Sequence, residues 1–303
     1  MRVILAQSLP IAMLVVLGFA LRQARVIDSG LGQGLARLTL YTTLPAVIFL
    51  SLARARLEVG RLSMLALCGA SIPLVLHRVA IAVSRWMGLE RKVAGALVVG
   101  SLVTNIGFFL LPFFQTFYGP EGVSRLAAFD LGNSLLAASY GYYVAAHYGG
   151  RVAGGRAILL HILGAPLLWA NLAGIGVNLL GLGQALPEVL AKVLEPLAAA
   201  NTPLAMLTLG SFIEPHLKGW RPAIAAVAIR VGLGFALGQL LVWGLGLRGL
   251  ERAAVGMGAA MPIGTVAMVY AALEGLDLGV AAGAISLSIV VALLITPFLL
   301  RMC

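Results

Sequence analysis

The chain has 303 residues, 61% of them hydrophobic and 11% charged, and its mean hydropathy is +1.02. Soluble domains carry about 25% charged residues, so this composition excludes a water-soluble protein and specifies one embedded in a bilayer. The net charge of +10 does not point to nucleic acid, because the basic residues are scattered through short inter-helix loops, where they set topology and meet lipid headgroups.

Crossing a hydrocarbon core of roughly 30 Å takes about 20 helical residues, and apolar stretches of that order fall at ten places along the chain. The first, 3–21, follows Arg2 and runs unbroken to Leu21. That is longer than the roughly 7 to 15 apolar residues of a cleavable signal sequence, so it reads as a retained helix. The second, 33–52, carries Thr43-Leu44-Pro45-Ala46; the third, 62–84, contains Cys68 and, later, His77 and Arg78, which can snorkel towards an interface.

The fourth stretch, 93–118, holds Thr104-Asn105-Ile106-Gly107-Phe108-Phe109-Leu110-Leu111-Pro112 near mid-depth. Proline removes a backbone donor and clashes with the preceding turn, and glycine lowers helix preference, so the span is expected to break there. Backbone groups freed in hydrocarbon need protein, ligand or cavity water as partners. The half-helix N-termini so created carry partial positive charge and suit an anion.

The fifth stretch, 123–146, presents Asp130, Asn133, Ser134, Ala137 and Gly141 on one small, polar face. Asp130 reads either as a cation or proton site or as the partner of an arginine. Tyr140, Tyr142 and Tyr143 near its end read as an interfacial belt. The sixth, 157–181, contains Asn171 and Asn178, amides of the kind that bridge helices. The seventh, 187–212, places Asn201 just before Thr202-Pro203-Leu204-Ala205, and the eighth, 222–247, buries Arg230 and Gln239. Arg230 is suited to hold a substrate carboxylate by bidentate bonds or to neutralise a buried acid. The ninth, 252–273, breaks at Ala260-Met261-Pro262-Ile263-Gly264-Thr265, again near mid-depth, and the tenth is 279–300. Glu195, Glu214, Glu274 and Asp277 lie at or near span ends, where solvation accounts for them.

The two breaks are related. Gly107 and Gly264 are 157 positions apart, and Pro45 and Pro203 are 158 apart. Each half is five helices with a proline-bearing second and a broken fourth. Because five is odd, the second copy enters the membrane from the opposite side, and 1–150 and 151–303 become inverted repeats of one membrane-embedded unit with no soluble domain. A helix break at the midplane of each inverted half is the sequence pointer to a transporter binding site. A single Pro-Gly motif reads as a simple kink; the matched pair, with Asn105 as an extra polar group, reads as a site.

No enzymatic constellation is present. His77, His147, His161 and His216 are dispersed without metal-ligand spacing, Cys68 and Cys303 form no framework, and no nucleophile elbow or phosphate loop occurs. Loop charges divide evenly between the two sides and leave orientation open.

The stretch Leu44-Pro45-Ala46-Val47-Ile48-Phe49, the Asn105–Pro112 segment, Phe129-Asp130-Leu131-Gly132-Asn133 and Pro203-Leu204-Ala205-Met206 resemble the auxin efflux carrier family, within the bile acid, arsenite and riboflavin transporter superfamily. Met261-Pro262-Ile263-Gly264 and the Leu294-Ile295-Thr296-Pro297 ending fit it too, so the resemblance covers essentially the whole chain. It implies an all-α integral membrane fold of ten transmembrane helices in two inverted repeats, helices four and nine crossing at their breaks beside a scaffold. It also implies outward-facing termini, and a substrate near Asn105, Pro112 and Pro262, supported by the helix-five face. The loop at 147–156 is too short for the regulatory segment of plant members, and Pro262 stands where the first break has Asn105. These departures fit a compact prokaryotic-type carrier, multi-pass in a bacterial inner membrane.

The expectation is a secondary carrier that moves a small organic anion, such as malate, malonate or an auxin-like carboxylate, by elevator-type alternating access. Its site comprises Asn105, Gly107, Pro112, Asp130, Asn133, Asn201, Arg230, Pro262 and Gly264. The partners are that anion and the lipid bilayer, with no nucleic acid; a homodimer is left open. No cofactor is expected, and coupling to H+ or Na+ is undecided. The rival readings are a sodium-coupled symporter of the bile acid type and a membrane scaffold or sensor that transports nothing.

Overall fold

A computed structural model of the chain describes residues 2–151, 154–183, 185–214 and 219–302. His216, Lys218 and Cys303 lie outside the described residues. The regular structure among the described residues is helical: α1 (Arg2–Gln23), α2 (Ser29–Arg54), α3 (Val59–Trp86), α4 (Arg91–Leu102), α5 (Ile106–Phe117), α6 (119–149), α7 (Gly155–Leu163), α8 (Pro166–Leu179), α9 (Glu188–Ser211), α10 (Trp220–Gly244), α11 (Gly249–Gly258), α12 (Val266–Glu274) and α13 (Leu278–Met302). π-helical turns interrupt α2 at Thr39–Thr43, α6 at Ala137–Gly141 and α10 at Ala228–Leu233, and open α5 at Ile106–Leu110.

Helices occupy every apolar stretch read from the sequence. Five of them, α1, α2, α3, α10 and α13, are long and apolar enough to cross a membrane, and the bent pair α7–α8 makes a sixth if counted as one span. The remaining stretches differ for local reasons. Two are broken into the short pairs α4–α5 and α11–α12, while α6 carries Glu121, Arg125 and Asp130 and α9 carries Glu188, Lys192 and Glu195.

The sixth stretch departs from the continuous helix expected of it: its two pieces meet at 59°. Pro166 explains the bend. The residue before a proline is pushed out of the helical region, and Ala165 is extended at φ −81 and ψ 111. The indole N–H of Trp169 then donates to the freed Leu163 carbonyl at 2.8 Å.

Helix ends elsewhere are closed by side chains. The Asp28 carboxylate accepts from the Leu31 N–H at 2.7 Å at the start of α2. At its other end, Asn178 Nδ2 donates to the carbonyls of Leu52, Ala53 and Ala55 at 3.0, 3.0 and 2.7 Å. This amide bridges helices as expected, by satisfying the last carbonyls of α2. Glu274 departs from the solvated placement read for it. It is buried, and one of its carboxylate oxygens lies 3.9 Å from Arg151 Nε.

Two neighbourhoods of helices are evident. In the first, α1 packs on α9, and α8 and α9 both pack on α2. In the second, α3, α4, α6, α10, α11 and α13 pack on one another around a buried core of Leu65, Leu76, Leu97, Val98, Val255, Met257 and Ile289. Contact between them runs mainly through α2 against α6 and through α5 against α9.

Candidate functional site: the crossing of two broken helices

The helix α4 ends at Leu102 and α5 begins at Ile106; α11 ends at Gly258 and α12 begins at Val266. The two gaps meet. Thr104 and Ile263 form an isolated antiparallel bridge. The Asn105 N–H donates to the Pro262 carbonyl at 2.8 Å, and the Gly264 N–H donates to the Val103 carbonyl at 2.9 Å. Each break therefore satisfies backbone groups the other has freed, as a low-dielectric interior requires. The Ile263 N–H donates to Ser288 Oγ of α13 at 3.0 Å, and Ser288 in turn donates to the Ile285 carbonyl at 2.7 Å.

Gly264 is required at this crossing. A Cβ there would stand 2.8 Å from Val103 Cγ1 and 3.0 Å from the Thr104 carbonyl oxygen, and the bridge forms only because none is present. Gly107 is placed differently, as the second residue of α5, where an added Cβ would meet the flexible end of Leu44 in α2 at 2.7 Å.

Asn105 is 4% exposed, and its Nδ2 has no hydrogen-bond partner among the described residues. Its backbone is committed to the bridge while its amide is not. The N-termini of α5 and α12 both begin at the crossing, so partial positive charge gathers where that amide lies.

Arg230 is brought to the same place from α10. It is 1% exposed, and its Nη2 donates to the carbonyl of Ala259, the residue that caps α11, at 2.5 Å. Its Nε and Nη1 have no partner among the described residues. No ion pair joins it to an acid there either.

Asp130 and Asn133 are buried and bonded to each other, Asn133 Nδ2 donating to Asp130 Oδ1 at 3.0 Å, and Asn133 Oδ1 has no partner among the described residues. They are near the crossing through the next residue: the Phe129 ring lies against Gly258 at the end of α11. Among the described residues, no hydrogen bond joins either of them to the bridge. Pro112 lies at the start of the second stretch of α5, past the π-helical turn, and does not form the break, which ends at Asn105. Asn201 is also removed from the crossing. It is fully buried, with Oδ1 accepting from Thr43 Oγ1 at 3.2 Å and Nδ2 donating to Gln115 Oε1 at 3.1 Å.

Sequence reasoning missed four participants: Val103, Thr104, Ser288 and Gln115. Ser288 stood in the most apolar stretch of the chain, where a buried hydroxyl is itself a signal. Gln115 accepts from Asn201 and from Thr202 Oγ1 at 3.2 Å, and its Nε2 donates to the Ala198 carbonyl at 3.2 Å. It also lines a cavity of about 200 Å³ between α2, α5, α9 and the start of α6, together with Val47, Ser51, Arg54 and Pro120. No group of three or more His, Cys, Asp or Glu among the described residues could hold a metal ion. The tyrosines near the end of α6 turn partly inward: Tyr142 stacks on His161 of α7 at 4.3 Å and lies 5.8 Å from Tyr270 of α12.

Residues 151–300 match the family described as membrane transport protein. A protein of Methanothermobacter thermautotrophicus described as an uncharacterized transporter is 28% identical over 294 residues, covering 95% of each chain. Another so described, from Methanocaldococcus jannaschii, is 24% identical over 299 residues, covering 94% of each.

Proposed function

We propose that this chain is a multi-pass membrane carrier of the auxin efflux carrier type, and that it moves a small organic anion through the crossing of its two broken helices; the match of residues 151–300 to the membrane transport protein family and the relatives described as transporters support this reading. The observation that carries this reading is the Thr104–Ile263 bridge with the unclaimed Asn105 amide beside it. Two helix N-termini and an amide donor converge there, a donor-rich setting that suits a carboxylate.

The fold that goes with this function is ten spans, five in 1–150 and five in 151–303, related as inverted repeats. The broken pairs α4–α5 and α11–α12 are then the fourth and ninth spans. Alternating access follows if the helices around the crossing shift against α1, α2, α8 and α9 as a unit, an elevator-like displacement. The limited contact between the two neighbourhoods supports it, since few bonds need to break.

The test is a flux panel in proteoliposomes with labelled malate, malonate and indole acetate, each with and without pH and sodium gradients. Saturable uptake of at least one carboxylate above protein-free vesicles is expected, and the gradient arms assign coupling. A protein that moves none of them, and whose thermal stability none of them changes, is a scaffold or sensor instead.

A further inference from the structure

Among the described residues, no acidic side chain pairs with the buried guanidinium of Arg230. A guanidinium cannot shed its proton in a protein, and an unpaired buried charge is among the costliest groups to keep in a fold. The single bond described for it, Nη2 to the Ala259 carbonyl, is a strong one, and it sits at the negative end of α11. A helix end carries only about half a charge, so it offsets the guanidinium in part. The three remaining N–H groups on Nε and Nη1 still need acceptors.

The local build brings this side chain to the end of α11. The π-helical turn Ala228–Leu233 surrounds Arg230, and such turns recur at functional sites. One turn on, Gly234 lets α10 approach the break closely: a Cβ there would lie 2.3 Å from the Ala259 carbonyl oxygen. Ala259 is four positions from Ile263, which bridges to Thr104. Arg230 thus holds the end of one broken helix, and Asn105 lies in the other break, bonded through its backbone to Pro262.

We infer that Arg230 is a tethered cation of the transport site: Nη2 fixes the carbonyl end of α11, and Nε and Nη1 receive the carboxylate of the substrate. The guanidinium supplies at this helix end the positive charge that a coupling metal cation would otherwise bring, so carboxylate binding needs no sodium. This inference rests on the crossing being the transport site. It goes further in naming the residue that reads the negative charge and in predicting what the site discriminates against.

The wild type and two variants in nanodiscs test it, with malonate and its neutral analogue malonamide as probes and binding read by calorimetry in sodium and in choline buffer. The wild type is expected to bind malonate equally in both buffers and to ignore malonamide. Arg230→Gln keeps an amide donor for the Ala259 carbonyl but no charge, and is expected to bind malonate about 10- to 100-fold more weakly. Arg230→Lys keeps the charge without the planar fork, and a roughly tenfold loss is expected. Should Arg230→Gln fail to fold, the lysine variant decides. Unchanged malonate affinity in the folded Gln or Lys variant overturns the assignment, as does a strict sodium requirement in the wild type. Failure of the wild type to bind or transport any carboxylate overturns the transport reading itself, which is a different result.

Discussion

Asn105 does two jobs with separate atoms. Its main-chain N–H belongs to the bridge, donating to Pro262, and any residue but proline would keep that bond. Its Nδ2 belongs to nothing described. Truncation should therefore cost function without costing the fold: Asn105→Ala is expected to reach wild-type abundance and melting temperature while transport is lost, which uptake normalised to reconstituted protein measures. Gly264 is the converse. Gly264→Val would push branched carbons into Val103 and the Thr104 carbonyl, so a destabilisation of about 1–3 kcal/mol is expected, seen as a lowered melting temperature in detergent. The sequence made Asn105 and both breaks legible, since an amide beside Pro and Gly is conspicuous among apolar residues. It could not reveal the partner of Arg230, a backbone carbonyl 29 positions away, because carbonyls carry no side-chain signature. Nor could it tell Asn201 from a ligand contact: that amide is consumed by Gln115, 86 positions away.

At the scale of helices, the bonds of Gln115 have a direction. All three run from α5, the second half of a broken span, to Ala198, Asn201 and Thr202 of α9. Any displacement of the crossing relative to α9 breaks them together, so they hold one arrangement of the two neighbourhoods. Gln115→Leu removes the latch while filling similar space, and should change the maximal transport rate by several-fold with little change in KM. A raised KM with an unchanged rate would mean that Gln115 touches the substrate instead. Asn178→Ala strips three carbonyls of α2 of their shared donor and should destabilise the protein by about 1–3 kcal/mol without altering selectivity. Helix positions were readable from hydropathy because bilayer thickness fixes segment length. The bend in the sixth stretch was equally present in sequence, at Gly164-Ala165-Pro166, but proline also occurs in continuous helices such as α9 and α13, so local composition did not separate kink from continuation.

For the whole molecule, the crossing is the only described place where two distant halves exchange backbone hydrogen bonds across paired breaks. The two breaks, 157 positions apart by their Ile-Gly glycines, meet through main chain. The pairing itself is long-range, which the offset between the motifs suggested and only the coordinates supplied. Elevator movement makes a further expectation. Cysteines at Gln115 and Ala198, in a background without Cys68 and Cys303, should arrest uptake on oxidation and release it on reduction; full uptake in the cross-linked protein would exclude sliding at this interface. The most direct measurement of the central claim is carboxylate counterflow in proteoliposomes containing equal amounts of wild-type and Asn105→Ala protein. Accumulation in the wild type that falls to the protein-free level in Asn105→Ala is the predicted result, and equal accumulation in both would contradict a transport site at the crossing.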